Sequence, residues 1–305
     1  MCSGGYHLGS PGLPAMPRSP DEPESCLPVR FTIVSPVLNG MPWLPEAIES
    51  VARQRQGATF ELEHIVLDGG STDGSREWLK DHVDLGYKLI MEPDDGQTAA
   101  LCAGFDRATG ELFGWLNSDD VLEPGALQIA HDVLAANPDV VMVSGACLFI
   151  DANGRVFGAM PPPPVPTHEA LVRVFLNPPQ PATFFRADAY RAGGGLDTSL
   201  HLALDVDLWL KLTRVGRYVV LPDRVLARYR VHANAKSERM ALTSVRQDLQ
   251  VRRRYGMPWR SHAGRVLVQK GYINPVIDRV GRIPRAIGHG TWRAARRIVM
   301  GPRKP

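Results

Sequence analysis

Three carboxylates stand where a sheet protein gathers its chemistry. Asp68 follows the strand-like run 62–67, and Asp119 and Asp120 follow another, 112–116. In open α/β sheets ligands bind beyond the carboxyl ends of the strands, where loops converge. Each Asp alone is also a common turn residue, because its side chain hydrogen-bonds locally. Two such places in one sheet favour a site. The pair Asp119-Asp120 adds a charge argument, since adjacent like charges repel unless a cation neutralises them. A divalent ion with hard oxygen ligands, shared with phosphate oxygens, meets that need.

The elements that must carry these groups are legible from periodicity. From Phe31 onward short β-rich runs alternate with helical stretches, which predicts an α/β fold with a Rossmann-like, mainly parallel central sheet flanked by helices. Strands are expected over 31–35, 62–67, 87–91, 112–116, 140–144, 182–185 and 218–221. Helices are expected over 43–54, from a Ser71 or Thr72 cap through Leu79, over 97–109, near 125–136 and near 206–213. The proline run 161–166 must be loop.

The net charge of +3 hides an asymmetry: from Arg246 onward 15 Lys and Arg face two acidic residues, leaving 20 basic and 30 acidic residues before it. Such a split speaks to partners rather than fold. Within it, Ile287, Trp292, Ile298 and Val299 interleave with Arg285, Arg293, Arg296 and Arg297, as in an amphipathic helix lying on an anionic membrane surface. A solvated basic extension has the same composition. No nucleic acid is expected as partner, because no nucleic-acid-binding motif accompanies the charge. The expected divisions are a disordered N-terminal segment 1–29, rich in Gly, Pro and Ser, a catalytic domain 30–241, and a basic, helical C-terminal extension 242–305. The four cysteines form no CxxC pair, and neither a signal-peptide core nor an apolar run of the ~20 residues that span a bilayer is visible. The expectation is a cytoplasmic protein, peripheral on the inner face of the cell membrane.

Five motifs in order carry a family resemblance. Ser35-Pro36-Val37-Leu38-Asn39, Val66-Leu67-Asp68-Gly69-Gly70-Ser71, Glu92-Pro93-Asp94-Asp95-Gly96-Gln97, Trp115-Leu116-Asn117-Ser118-Asp119-Asp120 and Leu204-Asp205-Val206-Asp207-Leu208-Trp209 resemble the family 2 glycosyltransferases, as does Arg228-Tyr229-Arg230-Val231-His232. The resemblance covers roughly Phe31 to Ser237. It implies a GT-A fold and an inverting, metal-dependent transfer from a UDP-, GDP- or dTDP-linked sugar to a hydroxyl on a saccharide or lipid-linked acceptor. Such reactions build polysaccharides, glycolipids or glycoconjugates. By position it implies that Pro36 and Asp68 border the nucleotide base and that Asn39, Gln97, Asn117 and Asp119 contact the donor. It further implies Asp120 as the direct ligand of a divalent cation, Mg²⁺ or Mn²⁺. Asp119 faces the ribose or a metal-bound water, with ligation also open to it, and His232 completes the metal or diphosphate environment. Asp205 matches the family's catalytic base.

The sequence departs from that pattern in two places. Asn117 replaces the usual first Asp of the DXD-type metal motif, and Ala99 and Cys102 stand where an acidic residue and an Asn are common. The chemistry explains the residue types. A diphosphate leaves while positive charge builds on the anomeric carbon, so a bound cation stabilises the departing charge. Inversion needs one base on the opposite face to accept the proton of the attacking hydroxyl. Asp205 also reads as a helix cap and Asp207 as a first-turn carboxylate favoured by the helix dipole. Two other classes compete: a sugar nucleotidyltransferase, which expects a basic Gly-rich loop after the first strand where Pro36-Val37-Leu38-Asn39-Gly40 stands, and a non-catalytic nucleotide-sugar-binding domain.

Overall fold

The computed structural model describes residues 29–173, 177–232, 235–236 and 240–258. The N-terminal segment 1–28 and the basic stretch 283–300 lie outside the described residues. Nine strands form one sheet: β1 (Arg30–Val37), β2 (Glu61–Asp68), β3 (Lys88–Ile90), β4 (Leu112–Trp115), β5 (Val121–Leu122), β6 (Val140–Ile150), β7 (Val156–Met160), β8 (Thr183–Arg186) and β9 (Arg217–Arg230). The helices among the described residues are α1 (Leu44–Ala52), α2 (Ser75–Asp81), α3 (Gln97–Arg107), α4 (Ala126–Ala136), α5 (His168–Arg173), α6 (Ala187–Ala192), α7 (Leu204–Val215) and α8 (Ala241–Arg254).

The strand order is β3-β2-β1-β4-β8-β6-β9-β5, with β7 on β6. The first four strands are all parallel, as the alternation of strand and helix requires. Beyond β4 the sheet is mixed, because β8 enters antiparallel to both β4 and β6 while β9 runs parallel to β6. Both faces are covered, so the strands read as continuous apolar runs. Val34, Phe113 and Trp115 face the core shared with α3, α7 and α8, whereas Phe31, Ile33 and Leu112 face the core shared with α1 and α4.

At the end of the sheet away from the carboxyl termini, Glu63 on β2 accepts from Thr32 Oγ1 (2.7 Å), Thr109 N (2.8 Å) and Lys88 Nζ (2.6 Å). These donors hold its carboxyl down at about 2 against the burial that opposes ionisation. Glu63→Ala would strand buried donors and is expected to cost about 3 kcal/mol, read from the denaturant midpoint at neutral pH. Because the folded pKa is depressed, this contribution is present above the ordinary carboxylate range and is lost as pH falls towards about 2.

Two elements differ from expectation. The second helix begins at Ser75, not at a Ser71 or Thr72 cap, because Ser71 Oγ accepts the Asn39 N–H and Gly74, at φ 94°, turns the chain into the helix. The strand expected over 218–221 continues to Arg230, with Pro222-Asp223-Arg224 accommodated as a bulge between the pairs Gly145–Leu221 and Ala146–Val225. The expected boundary at 241 falls at the start of α8, whose Leu249 and Val251, with Met257 just beyond, join the main core. Arg252, the first of the three consecutive arginines 252–254, is fully buried against Asp248, the Leu171 carbonyl and Asn177.

Candidate functional site

Each loop at the carboxyl end of β1, β2 and β4 brings one group of sequence candidates. After β1, in which Pro36 is buried, Asn39 adopts a left-handed conformation (φ 55°) and its Oδ1 accepts the Thr72 N–H at 2.8 Å. The loops after β1 and β2 are thereby laced together. Asp68 is fully buried. Its carboxylate accepts from Gly70 N (3.3 Å) and Ser71 N (3.2 Å) and lies 2.8 Å from Arg76 Nε. Gly69 lies against the next loop: a Cβ there would meet Asp94 Oδ2 at 2.3 Å, so any larger residue would make the Asp94 carboxylate move aside.

The loop after β4 is the most densely bonded. Asn117 Oδ1 accepts from Gln97 Nε2 at 2.8 Å, while its Nδ2 donates to Asp120 Oδ2 and to Gln180 Oε1, both at 3.1 Å. Asn117 therefore joins the start of α3 to the acidic pair. The two aspartates then diverge. Asp120 is 1% exposed, and its second oxygen, Oδ1, accepts the Arg230 N–H at 3.0 Å. Burial and the Asp119 charge push its carboxyl well above the ordinary range, and the Arg230 and Asn117 hydrogen bonds only partly offset them. Asp119 has a side chain 27% exposed, and its Oδ2 lies 3.0 Å from His232 Nε2. In this geometry Asp120 is buried against the protein, and Asp119 is the more exposed of the two, beside His232.

Arg230 is the residue that sequence reasoning missed. Buried at the end of β9, its Nε donates to the Asp119 carbonyl (2.9 Å), Nη1 to the Asp151 carbonyl (3.2 Å) and Nη2 to Glu46 (2.5 Å). Trp43 completes the arrangement, lying under the Arg230 guanidinium at 5.8 Å and packing its ring 4.1 Å from that of His232. The sequence signal was the alternation Arg228-Tyr229-Arg230, which on a strand sends both arginines to one face, Arg228 pairing Glu123 at 2.5 Å.

Asp205 occupies the first turn of α7, just after Ala203, which is left-handed (φ 52°) and takes the position preceding the helix. A left-handed residue with a Cβ costs roughly 1–2 kcal/mol, so the turn is held by its surroundings. Burial raises the Asp205 carboxyl to about 6, with the Asp248 charge adding to it and Arg252 opposing it. Asp207 is buried and paired with Lys211 at 2.8 Å, and Trp209 is core, stacked on Trp115 of β4 at 5.5 Å. That stack couples the helix carrying Asp205 to the strand leading to Asp119. A second link runs from Thr98 Oγ1 to the Leu200 carbonyl (2.6 Å), beside Gln97. Gln97, Asn117, Asp119, Asp120 and His232 thus form one cluster, Asn39 and Asp68 a neighbouring loop pair, and Asp205 is tied to the cluster through α3 and β4. A carboxylate whose titration is raised to about 6 and the adjacent Asp119–His232 pair can serve proton transfer and cation or phosphate binding, respectively.

Residues 32–170 match the family model described as "Glycosyl transferase family 2". Over 265 residues the chain is 27% identical to an uncharacterized glycosyltransferase of Nostoc sp. (strain PCC 7120), covering 83% of this chain and 77% of the relative. Among other curated glycosyltransferase relatives it spans as little as 30% to 37% of their length. The fold is that of a mannosyltransferase from Pyrobaculum calidifontis solved with GDP-Man and Mn²⁺ (TM-score 0.57, 21% identity, 81% of this chain and 70% of that one). It is also that of S. aureus TarS residues 1–349 solved with UDP-GlcNAc (TM-score 0.54, 16% identity, 82% of this chain and 73% of that one).

Proposed function

We propose that the chain, which the family 2 glycosyltransferase model matches over residues 32–170, moves a sugar, with inversion, from a nucleotide-diphosphate donor to an acceptor hydroxyl. The observation that carries this reading is the outward pair Asp119 Oδ2 and His232 Nε2, 3.0 Å apart at the carboxyl end of β4. That separation suits two neighbouring ligands of one ion with bonds of about 2.1 Å. Asp119 and His232 would hold a Mg²⁺ or Mn²⁺, and Asp120 would act behind them through Asn117 and Arg230. When bound, the ion supplies Lewis-acid stabilisation of the departing diphosphate.

The chain's own groups do the rest. Arg230 fixes the Asp119 carbonyl and packs over Trp43, whose ring in turn lies against His232. Gln97, Asn117, Asn39 and the loop of Pro36 and Asp68 line the donor side. An incoming nucleobase N–H would share the Asp68 oxygens with the Gly70 and Ser71 amides. Asp205 accepts the proton of the attacking hydroxyl, and a single displacement with one base inverts the anomeric centre without a covalent intermediate. The acceptor is a saccharide or a lipid-linked glycan. The segment from Arg246 onward, with 15 basic and two acidic residues, would favour an anionic membrane surface. No helix among the described residues is long and apolar enough to cross a membrane.

Melting the full chain with UDP, GDP or dTDP, each with and without Mg²⁺ or Mn²⁺, tests this reading. A ligand that binds only the folded state raises the melting temperature by mass action. One nucleotide is expected to do so in a metal-dependent way; if none does with either ion, the donor-site assignment is wrong.

A further inference from the structure

The turn that presents Asp205 is anchored from two sides. Thr98 of α3 holds the Leu200 carbonyl on the donor side, and from the opposite side Gln247 Oε1 of α8 accepts the Leu202 N–H at 2.8 Å. Leu202 immediately precedes the left-handed Ala203, so this bond closes on the strained position itself. The rest of α8 converges on the same end of α7. Arg254 pairs with Asp197 at 2.9 Å, and the Tyr255 hydroxyl donates to Asp207 Oδ1 at 3.2 Å. The buried pair Asp248 and Arg252 lies near enough for both charges to act on Asp205. The apolar packing of this region comes from Leu249, Val251 and Met257. Gln247 is half-buried and stands outside that apolar set, so its bond to the turn is separable from the burial that keeps α8 in place.

We infer that α8 is a positioning element for the base, with Gln247 fixing the Leu202–Ala203 turn so that the Asp205 carboxylate is held in line with the acceptor hydroxyl. This inference rests on the assignment of Asp205 as base and deepens it: α8, like α7 that carries Asp205, lies beyond the segment 32–170 that the family model matches, and its contacts to the turn supply the alignment. Gln247 itself touches neither donor nor acceptor. Its loss should leave the ground-state donor site whole and disturb only the step in which the proton leaves the hydroxyl.

The test compares wild-type chain, Gln247→Ala and Gln247→Glu. The probe is whichever of the UDP-, GDP- or dTDP-linked hexoses gives the largest metal-dependent melting shift. The readout is release of the nucleoside diphosphate with water as acceptor. Gln247→Ala is expected to lower kcat about tenfold with the donor KM and the donor-induced melting shift unchanged. Gln247→Glu keeps an acceptor oxygen for the Leu202 N–H and, assayed at alkaline pH where Asp205 stays ionised, is expected to restore most of kcat. Wild-type kcat in Gln247→Ala, a matching loss of donor binding, or no recovery in Gln247→Glu would overturn the inference while leaving the glycosyltransferase reading intact. Asp205→Asn in the same assay separates the two readings: diphosphate release at the wild-type rate in that variant would overturn the base assignment, and this inference with it.

Discussion

Asp205→Asn is expected to lower transfer by about 10²–10⁴-fold, the usual worth of a positioned general base, while the nucleotide-dependent melting shift persists. The reasoning is local. The carboxylate is desolvated at the start of α7, away from the Asp119–His232 pair, and burial already raises its pKa to about 6. Replacing it with a neutral amide removes an unfavourable buried charge, so the variant should melt no lower than the wild type. The wild-type pH profile carries the same signature. A base works only when deprotonated, so kcat/KM should fall tenfold per unit as pH drops below about 6 and level off above it. An acid limb that survives unchanged in a residually active Asp205→Asn variant would assign the limb, and the base, to another group.

Asp119→Asn and Asp120→Asn are expected to fail in different ways, which decides how the acidic pair divides its work. Removing the outward carboxylate should cost more than the ~10–100-fold in metal affinity that changes behind a ligand cause. A nucleotide present at 100 times its Kd stabilises by about 2.7 kcal/mol, and a 100-fold weaker complex by only about 0.4. Asp119→Asn should therefore abolish the metal-dependent melting shift in an otherwise normally folded protein. At position 120 both oxygens already accept hydrogen bonds, from Arg230 N and Asn117 Nδ2. An Asn there must aim its own NH₂ at one of those donors, which should lower stability by about 1–3 kcal/mol and loosen the loop. A large metal defect in Asp120→Asn without loss of stability would restore Asp120 as the direct ligand.

The first half of the sheet was legible in the chain because parallel, doubly covered strands are mainly apolar, as Ile33-Val34, Ile65–Leu67 and Leu112–Trp115 are. The carboxyl-end placement of Asp68 and Asp119 followed from those runs. Which member of the acidic pair turns outward did not, since that depends on Arg230, 110 residues away from Asp120, reaching back to fill one side. The length of β9 was hidden by Pro222-Asp223-Arg224, which reads as a strand end until a bulge absorbs it. The burial of α8 was hidden by composition: Arg252 and Asp248 look like surface residues, and only their mutual pairing against Leu171 and Asn177 lets them be buried. Asp205 stood out by its motif, whereas its raised pKa comes from desolvation that no linear pattern reveals.

The reach of β9 also sets when the site can exist during synthesis. Glu46 waits for Arg230 across 184 residues, and Asp119 for His232 across 113. At ribosomal speeds of about 5–20 residues per second, roughly 10–40 s separate the emergence of Glu46 from that of its partner. Through that interval the β1–β4 half of the nascent sheet can pair, but the acidic loop has neither its inward arginine nor its outward histidine. Loop closure on this scale is a late and slow event. A nascent chain arrested before β9 should therefore present a collapsed parallel sheet that does not capture nucleotide, and capture should begin only once β9 has cleared the exit tunnel.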